Sequence, residues 1–193
     1  MTPSRYDDEL WELVPEHSHE RPAHLREFVR SLGSVVRALD LGCGDGRLTA
    51  ELEAAELVAA DVSPVALERA GRRLPRARLC ELEPDAPLPF GDGEFELVLC
   101  AEVLEHVRDV QLLLSEVRRV LRPGGILALT TPAHGRADGL AILATGFERR
   151  FDPLSPHLRF LTARSLGRLL DELGFEVASL RRRRGSLLAL ARR

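Results

Sequence analysis

Short apolar runs alternate with helically spaced stretches along most of this chain. "VVRALDL" (35–41), "ELVAAD" (56–61), "ARLCEL" (77–82), "FELVLCA" (95–101) and "ILALTT" (126–131) are compact and apolar. Runs of that kind mark strands buried on both faces. "GRLTAELEAA" (46–55) follows the first of them and is expected to be a helix. "SPVALERAGRRL" (63–74) opens with Ser63 as a cap and Pro64 at the first helical position. "DVQLLLSEVRRVL" (109–121) is a helix capped by Asp109 and stopped by "RPGG". "TARSLGRLLDELG" (162–174) runs from Thr162 to a Gly174 stop. "FEVASLRR" and "SLLALAR", parted by "RRG", read as a closing hairpin.

This alternation predicts a mostly parallel sheet with helices on both faces. Such sheets bind ligands beyond the carboxyl ends of their strands, at the topological switch point. Two segments stand outside the alternation. Residues 1–33 are expected to form helices at "DELWELV" and "RPAHLREFVRSL". Residues 132–160 form a connection long for a compact domain, and its apolar "LAILATGF" favours an ordered lid over a linker.

Composition narrows the class. A chain of 193 residues with 45% hydrophobic residues fits one domain with a sizeable core. Its net charge of −3 and its lack of a basic stripe interleaved with aromatics argue against a nucleic-acid partner. Cys43, Cys80 and Cys100 form no C-x-x-C pair and read as small buried hydrophobes in a reducing compartment. The N-terminus carries no signal pattern, and no apolar run approaches the ~20 residues of a membrane span. A cytoplasmic protein is expected.

"LDLGCGDG" (39–46) joins the first strand to the next segment. Its glycines permit a tight turn and close approach of a ligand to the backbone. Asp61 ends the second strand, where a carboxylate can accept both hydroxyls of a ribose. A nucleoside-bearing cofactor follows. The competing reading, a nicotinamide dinucleotide, uses G-x-G-x-x-G and places a pyrophosphate at the helix start. Here the spacing is G-x-G-x-G, flanked by Asp40 and Asp45. Two carboxylates disfavour a pyrophosphate and suit the ammonium of an amino acid.

After the fourth strand comes "CAEVLEHV" (100–107). If "EVLEH" forms a helical turn, Glu102, Glu105 and His106 share one face. Three readings stay open. These groups solvate the start of a connection; or His106 acts as a general base, with Glu102 or Glu105 orienting it; or the three bind a divalent metal with His157 as a further ligand. Arg181 to Arg184 read as a solvated hairpin on the rim of the site. His17, His19 and His24 lack metal spacing. Tyr6 and Trp11 read as packing residues of an N-terminal helix.

"LDLGCGDG", "ADVS", "PLPFGDGEFELVLCAEVLEHV" and "LRPGGILALTTP" together resemble the class I S-adenosylmethionine-dependent methyltransferases, and most closely the quinone-biosynthesis group. The resemblance implies a single-domain, Rossmann-like α/β fold. Its seven-stranded sheet would have the order 3-2-1-4-5-7-6, with the last strand antiparallel. It also implies a cofactor-binding core (34–131), an N-terminal helical cover (1–33), a substrate lid (132–160) and a closing helix and hairpin (161–193). S-adenosylmethionine would then meet Asp40 and the backbone of Gly42, Cys43 and Gly44 at its methionine part. Asp61 would take the ribose, Val62 and Glu83 the adenine, and Ala101 the methionine end. E-x-x-E-H with a distant His157 is similar to the metal site of small-RNA 2′-O-methyltransferases, which would hold Mg²⁺, Mn²⁺ or Zn²⁺. The function implied is methyl transfer to a small or medium-sized acceptor, at oxygen in preference to nitrogen or carbon. Metal-assisted ribose 2′-O-methylation and a non-catalytic cofactor-binding sensor or partner subunit are the alternatives.

Overall fold

A computed structural model describes residues 8–9, 11–13, 21–147 and 157–193. Tyr6, His17, His19 and part of the expected lid lie outside the described residues. The elements are α1 (Ala23–Arg30), β1 (Ser34–Leu41), a 3-10 turn (Thr49–Glu51), β2 (Glu53–Asp61) and α2 (Pro64–Arg73). They continue with β3 (Arg78–Glu81), β4 (Phe95–Ala101), α3 (Val110–Val120), β5 (Leu121–Pro132) and α4 (Arg136–Thr145). The chain ends with α5 (Ala163–Glu172), β6 (Glu176–Arg183) and β7 (Ser186–Arg192). Residues 8–9 and 11–13 are also helical.

The seven strands form one sheet in the order β3-β2-β1-β4-β5-β7-β6. Strands β1 to β5 pair in parallel, and β7 runs antiparallel to both neighbours. The expected architecture is therefore the observed one. The two faces follow the period-2 rule for strands. Leu39, Leu41, Val98, Cys100, Leu127 and Leu129 pack on the side of α3 and α5, against Leu114, Val117, Leu166 and Leu170. Ala38, Leu97, Leu99 and Ala128 face the other side, against Leu25 and Val29 of α1.

The caps stand where the residue types place them. Ser63 Oγ accepts from Ala66 N at 3.2 Å, and Asp109 accepts from Gln111 N and Leu112 N. Thr162 and Ser165 bond reciprocally across the start of α5, at 3.1 and 2.9 Å. The β6–β7 turn, Arg184-Gly185, has φ of +47° and +87°, the pair of left-handed residues that a tight hairpin requires.

One expected helix is absent. Residues 46–55 hold a single 3-10 turn, and β2 starts at Glu53 rather than 56. Gly42, Gly44 and Gly46 all have positive φ, so no helix begins before Arg47. Pairing of Ser34 with Glu53 then fixes the start of β2. Too few residues remain for a helix. Leu48 and Leu52 still bury against Ala38 and Leu97, so the apolar spacing was packing information without a helix behind it. Among the described residues, no helix is long and apolar enough to cross a membrane.

Candidate active site

The sheet order reverses between β1 and β4, and the glycine loop leaves β1 at that point. Gly42 N and Cys43 N both donate to Ala60 O, at 2.8 and 3.0 Å, which ties the loop to the end of β2. Gly44 N donates to Asp61 Oδ2 at 2.7 Å, and Ser63 N donates to Asp61 Oδ1 at 3.0 Å. Asp61 is thereby held between the glycine loop and the cap of α2. Gly42 has φ +74°, and a Cβ there would lie 2.5 Å from Val103 Cγ2. Only glycine fits both demands.

Asp40 lies behind the loop and is 2% exposed. Thr49 Oγ1 donates to its Oδ2 at 2.5 Å. Burial pushes its carboxyl up to about 7, helped by the charge of Asp61 and opposed by the Thr49 hydrogen bond and the charge of Arg21.

The loop opens into a cavity of about 850 Å³. Gly42, Gly44, Asp61, Val62, Glu83, Ala101, Glu102, Glu105, His106 and His157 all line it. Asp40 and Cys43 are not among its wall residues. Cys43 packs on Ala59, Leu67, Ala70 and Leu74 instead, and burial raises its thiol pKa. Trp11 covers the loop, its ring 2.7 Å from the place a Gly44 Cβ would take. Ser63 Oγ donates to Asp8 Oδ1 at 2.5 Å, which fastens the N-terminal helical residues beside it.

Arg21 and Arg47 also line the cavity, and nothing in the strand pattern pointed to them. Arg21 precedes the alternating core; only its place in a segment expected to cover the site hinted at it. Its charge draws down both Asp40 and Glu102 against their burial. Arg47 pairs with Asp45 at 2.7 Å. Among the described residues, the wall carries seven acidic side chains (Asp45, Asp61, Glu83, Asp85, Glu102, Glu105, Asp109) and three arginines (Arg21, Arg47, Arg108). Such a wall attracts a cation and repels a pyrophosphate. A nucleoside that carries a sulfonium and an ammonium fits it, and Arg21 offers a counter-charge for one carboxylate.

The far end is built from the close of β4. "EVLEH" is not a helical turn. Glu102 has φ +57°, and a single hydrogen bond from His106 N to Val103 O (2.9 Å) closes the bend. Glu102 therefore leaves the face that helical spacing predicted. Thr130 Oγ1 donates to Glu102 Oε1 at 2.8 Å, and Thr131 Oγ1 donates to Glu105 Oε2 at 3.0 Å. Burial raises both carboxyls, Glu102 to about 7 with help from the charge of Glu105. His106 Nε2 lies 3.9 Å from Glu105 Oε1. The rings of His106 and His157 stand 4.9 Å apart at 61°. Ligand atoms of Glu105, His106 and His157 all fall within 4.8 Å of one another, a group that does not include Glu102. Burial, then the charges of His106 and His134, lower the pKa of His157 and favour its neutral form.

A glycine loop and a strand-end carboxylate at the switch point of this sheet define a nucleoside-binding α/β protein. Residues 39–129 match the family model described as "Methyltransferase domain". An uncharacterized methyltransferase of Synechocystis is 38% identical over 172 residues, covering 84% of this chain and 75% of that protein. A ubiquinone biosynthesis O-methyltransferase of Nitrobacter winogradskyi is 28% identical; the match covers 81% of this chain and 65% of the longer relative. The crystal structure of a SAM-dependent methyltransferase from Aquifex aeolicus superposes with a TM-score of 0.68, at 16% identity and covering 90% of this chain and 94% of that one. The chain belongs to the class I S-adenosylmethionine-dependent methyltransferases.

Proposed function

We propose that this methyltransferase methylates a hydroxyl of a small or medium-sized acceptor, and that His106 is the base that receives the hydroxyl proton. The observation that carries the reading is the gathering of Glu105, His106 and His157 in the cavity that also holds the glycine loop and Asp61. S-adenosylmethionine, when bound, supplies an electrophilic methyl group on sulfur. Asp61 accepts the ribose hydroxyls, Val62 lies against the adenine, and Glu83 accepts from the adenine amino group. Arg21 takes the methionine carboxylate. Asp40 acts from behind the loop through its charge, with Gly42, Cys43 and Gly44 supplying backbone and Ala101 lining the methionine end. At the far end an oxygen nucleophile must shed its proton as it attacks, and a neutral imidazole is suited to receive it. Glu105, anchored by Thr131, orients His106 and stabilises its charged form. The likeness to the Nitrobacter ubiquinone biosynthesis O-methyltransferase supports oxygen as the atom methylated, and with it a quinone-like acceptor.

A second reading is supported by the same cluster. Glu105, His106 and His157 supply one oxygen and two nitrogen ligands, a donor set that suits Zn²⁺, Mn²⁺ or Mg²⁺. Glu102 would join them after leaving Thr130. A bound metal would lower the pKa of the acceptor hydroxyl. Ribose 2′-O-methylation within RNA fits less well, because the carboxylate-rich wall repels a polyanion. In either reading the acceptor would lie over the core formed by 34–131, between the expected N-terminal cover and the expected lid, and 161–193 complete the sheet. A non-catalytic sensor or partner subunit is the contrasting hypothesis.

The test uses S-adenosylmethionine with a deuterated methyl group, incubated with the protein and a metabolite extract. A mass-shifted O-methyl product is expected. Turnover lost to a chelator and restored by Mg²⁺ or Zn²⁺ selects the metal reading. Cofactor binding without product from any hydroxyl, phenol or amine acceptor sinks the enzymatic reading of this cluster.

A further inference from the structure

Arg21 reaches the glycine loop from outside the sheet. Its Nη2 stands 3.9 Å from the place a Gly44 Cβ would take, and its side chain lines the cavity. Its charge is felt by Asp40 behind the loop and by Glu102 at the end of β4. The position of that guanidinium depends on the start of α1. Pro22 follows Arg21 directly and is the N-cap of the helix, its φ of −49° set by the ring. Leu25 N donates to Pro22 O at 2.9 Å, so the first turn begins one residue after Arg21. A residue before proline is confined to extended backbone. Arg21 is therefore carried on a short, stiff link, and a shift of the first turn of α1 shifts it.

The apolar face of α1 does not fix that turn by itself. Leu25 and Val29 are buried with Ala38, Leu97, Leu99 and Leu188. Apolar burial is non-directional, so a polar tie must set the register. Two ties join α1 to the β6–β7 hairpin. Glu27 Oε2 lies 2.7 Å from Arg183 Nη2, but both side chains are about half exposed, and such a pair contributes little. His24 Nε2 lies 3.2 Å from Ser186 Oγ, and both residues are buried, at 6% and 8% exposure. Breaking that bond leaves a buried polar group unpaired, which costs more than the bond itself is worth. Ser186 opens β7, opposite Pro132 of β5 on one side and Arg183 of β6 on the other. Pro132 lines the cavity, so the tie registers α1 against the rim of the site. The charged groups acting on His24 are Arg183 and Arg184 of the hairpin and Glu27 of its own helix. Burial, then the two arginines, lower its pKa and favour the neutral ring.

We propose that His24 and Ser186 are positioning residues: their buried hydrogen bond fixes the start of α1 and so sets Arg21 over the glycine loop. There Arg21 takes the carboxylate of the methionine part. The inference rests on that reading of Arg21 and adds the groups that make it effective.

The test compares two ligands by calorimetry on the full chain. One is S-adenosylhomocysteine; the other is S-adenosyl-3-thiopropylamine, which has the same nucleoside and ammonium but no carboxylate. Arg21→Ala should lose roughly tenfold or more in affinity for the first and keep its affinity for the second. Ser186→Ala should lose about two- to tenfold for S-adenosylhomocysteine alone, and should add nothing to the loss in Arg21→Ala. His24→Ala should behave as Ser186→Ala does, whereas His24→Gln, whose amide can serve the Ser186 hydroxyl, should retain most of the affinity. A merely structural role would weaken both ligands together. The inference fails if Arg21→Ala shows its selective loss while Ser186→Ala binds S-adenosylhomocysteine as the parent does, or loses both ligands equally. It also fails if His24→Gln loses as much as His24→Ala. No selective loss in Arg21→Ala would overturn the carboxylate reading itself, and the inference with it.

Discussion

Replacing Asp40 by asparagine should make the ligand-free protein more stable above neutral pH. Asp40 is 2% exposed, and its carboxyl is raised by burial from 3.8 to about 7. The folded state therefore holds a proton that the unfolded chain has already released. Stability from this group is fully present below about pH 4 and is lost as pH rises through about 7. A rise of roughly three pKa units, at about 1.4 kcal/mol each, sets the loss on the order of 4 kcal/mol. An asparagine at this position would be neutral at every pH and would keep an acceptor for the Thr49 hydroxyl. At pH 8 Asp40→Asn should thus exceed the parent in thermal midpoint by about 10 °C, at roughly 2–4 °C per kcal/mol for a chain of this size. At pH 5 the gap should shrink to a few degrees. Glu102, also raised to about 7, adds to the pH dependence of both proteins, so the difference between them isolates Asp40. The assay is calorimetric or fluorescence melting from pH 5 to 8. The same variant should bind S-adenosylmethionine more weakly, because the charge lost is opposite to that of the sulfonium and ammonium. A variant less stable at pH 8, or a gap independent of pH, would refute the reasoning.

Three further substitutions probe separate parts of the account. Gly42→Ala places a Cβ 2.5 Å from Val103 at φ +74°, so it should cost about 1–3 kcal/mol in stability and weaken S-adenosylhomocysteine binding. Adding Val103→Ala should restore only the part due to the contact, as chemical denaturation of single and double variants can establish. Leu166→Ala empties a fully buried position of α5 and should lower unfolding stability by roughly 2–5 kcal/mol, with cofactor affinity little changed in the folded fraction. His106→Ala should lower turnover by about 10²- to 10⁴-fold while S-adenosylhomocysteine affinity holds within a few fold; an equal loss in both would make His106 a binding residue, not a base.

The alternation of apolar runs was enough to read the strands, because a strand buried on both faces has little freedom in composition. Caps were equally plain at Ser63, Asp109 and Thr162, where a side chain answers a local need of the backbone. The missing helix after the glycine loop was not legible. Its apolar spacing is real, but Leu48 and Leu52 are placed by strand register and by the positive φ of three glycines. Glu102 likewise obeys a backbone turn in place of a helical period, so the expected set of four ligating side chains became a cluster of three with Glu102 tied to Thr130. Arg21 was invisible because its position depends on how the N-terminal segment crosses the core. The outward face of α4 was not legible either: "LAILATGF" shows that the segment is apolar, but not which side of it meets the protein.

The central claim is that the glycine loop and Asp61 hold the nucleoside of S-adenosylmethionine. Calorimetric titration of the protein and of Asp61→Ala with S-adenosylhomocysteine tests it most directly, with NADH as the competing ligand. The account predicts saturable S-adenosylhomocysteine binding by the parent protein and no binding of NADH. It also predicts a loss of about 10²-fold or more in Asp61→Ala, from two hydrogen bonds to a charged acceptor at about 1.5–3 kcal/mol each. Unchanged affinity in a folded Asp61→Ala, or binding of NADH in place of S-adenosylhomocysteine, would contradict it.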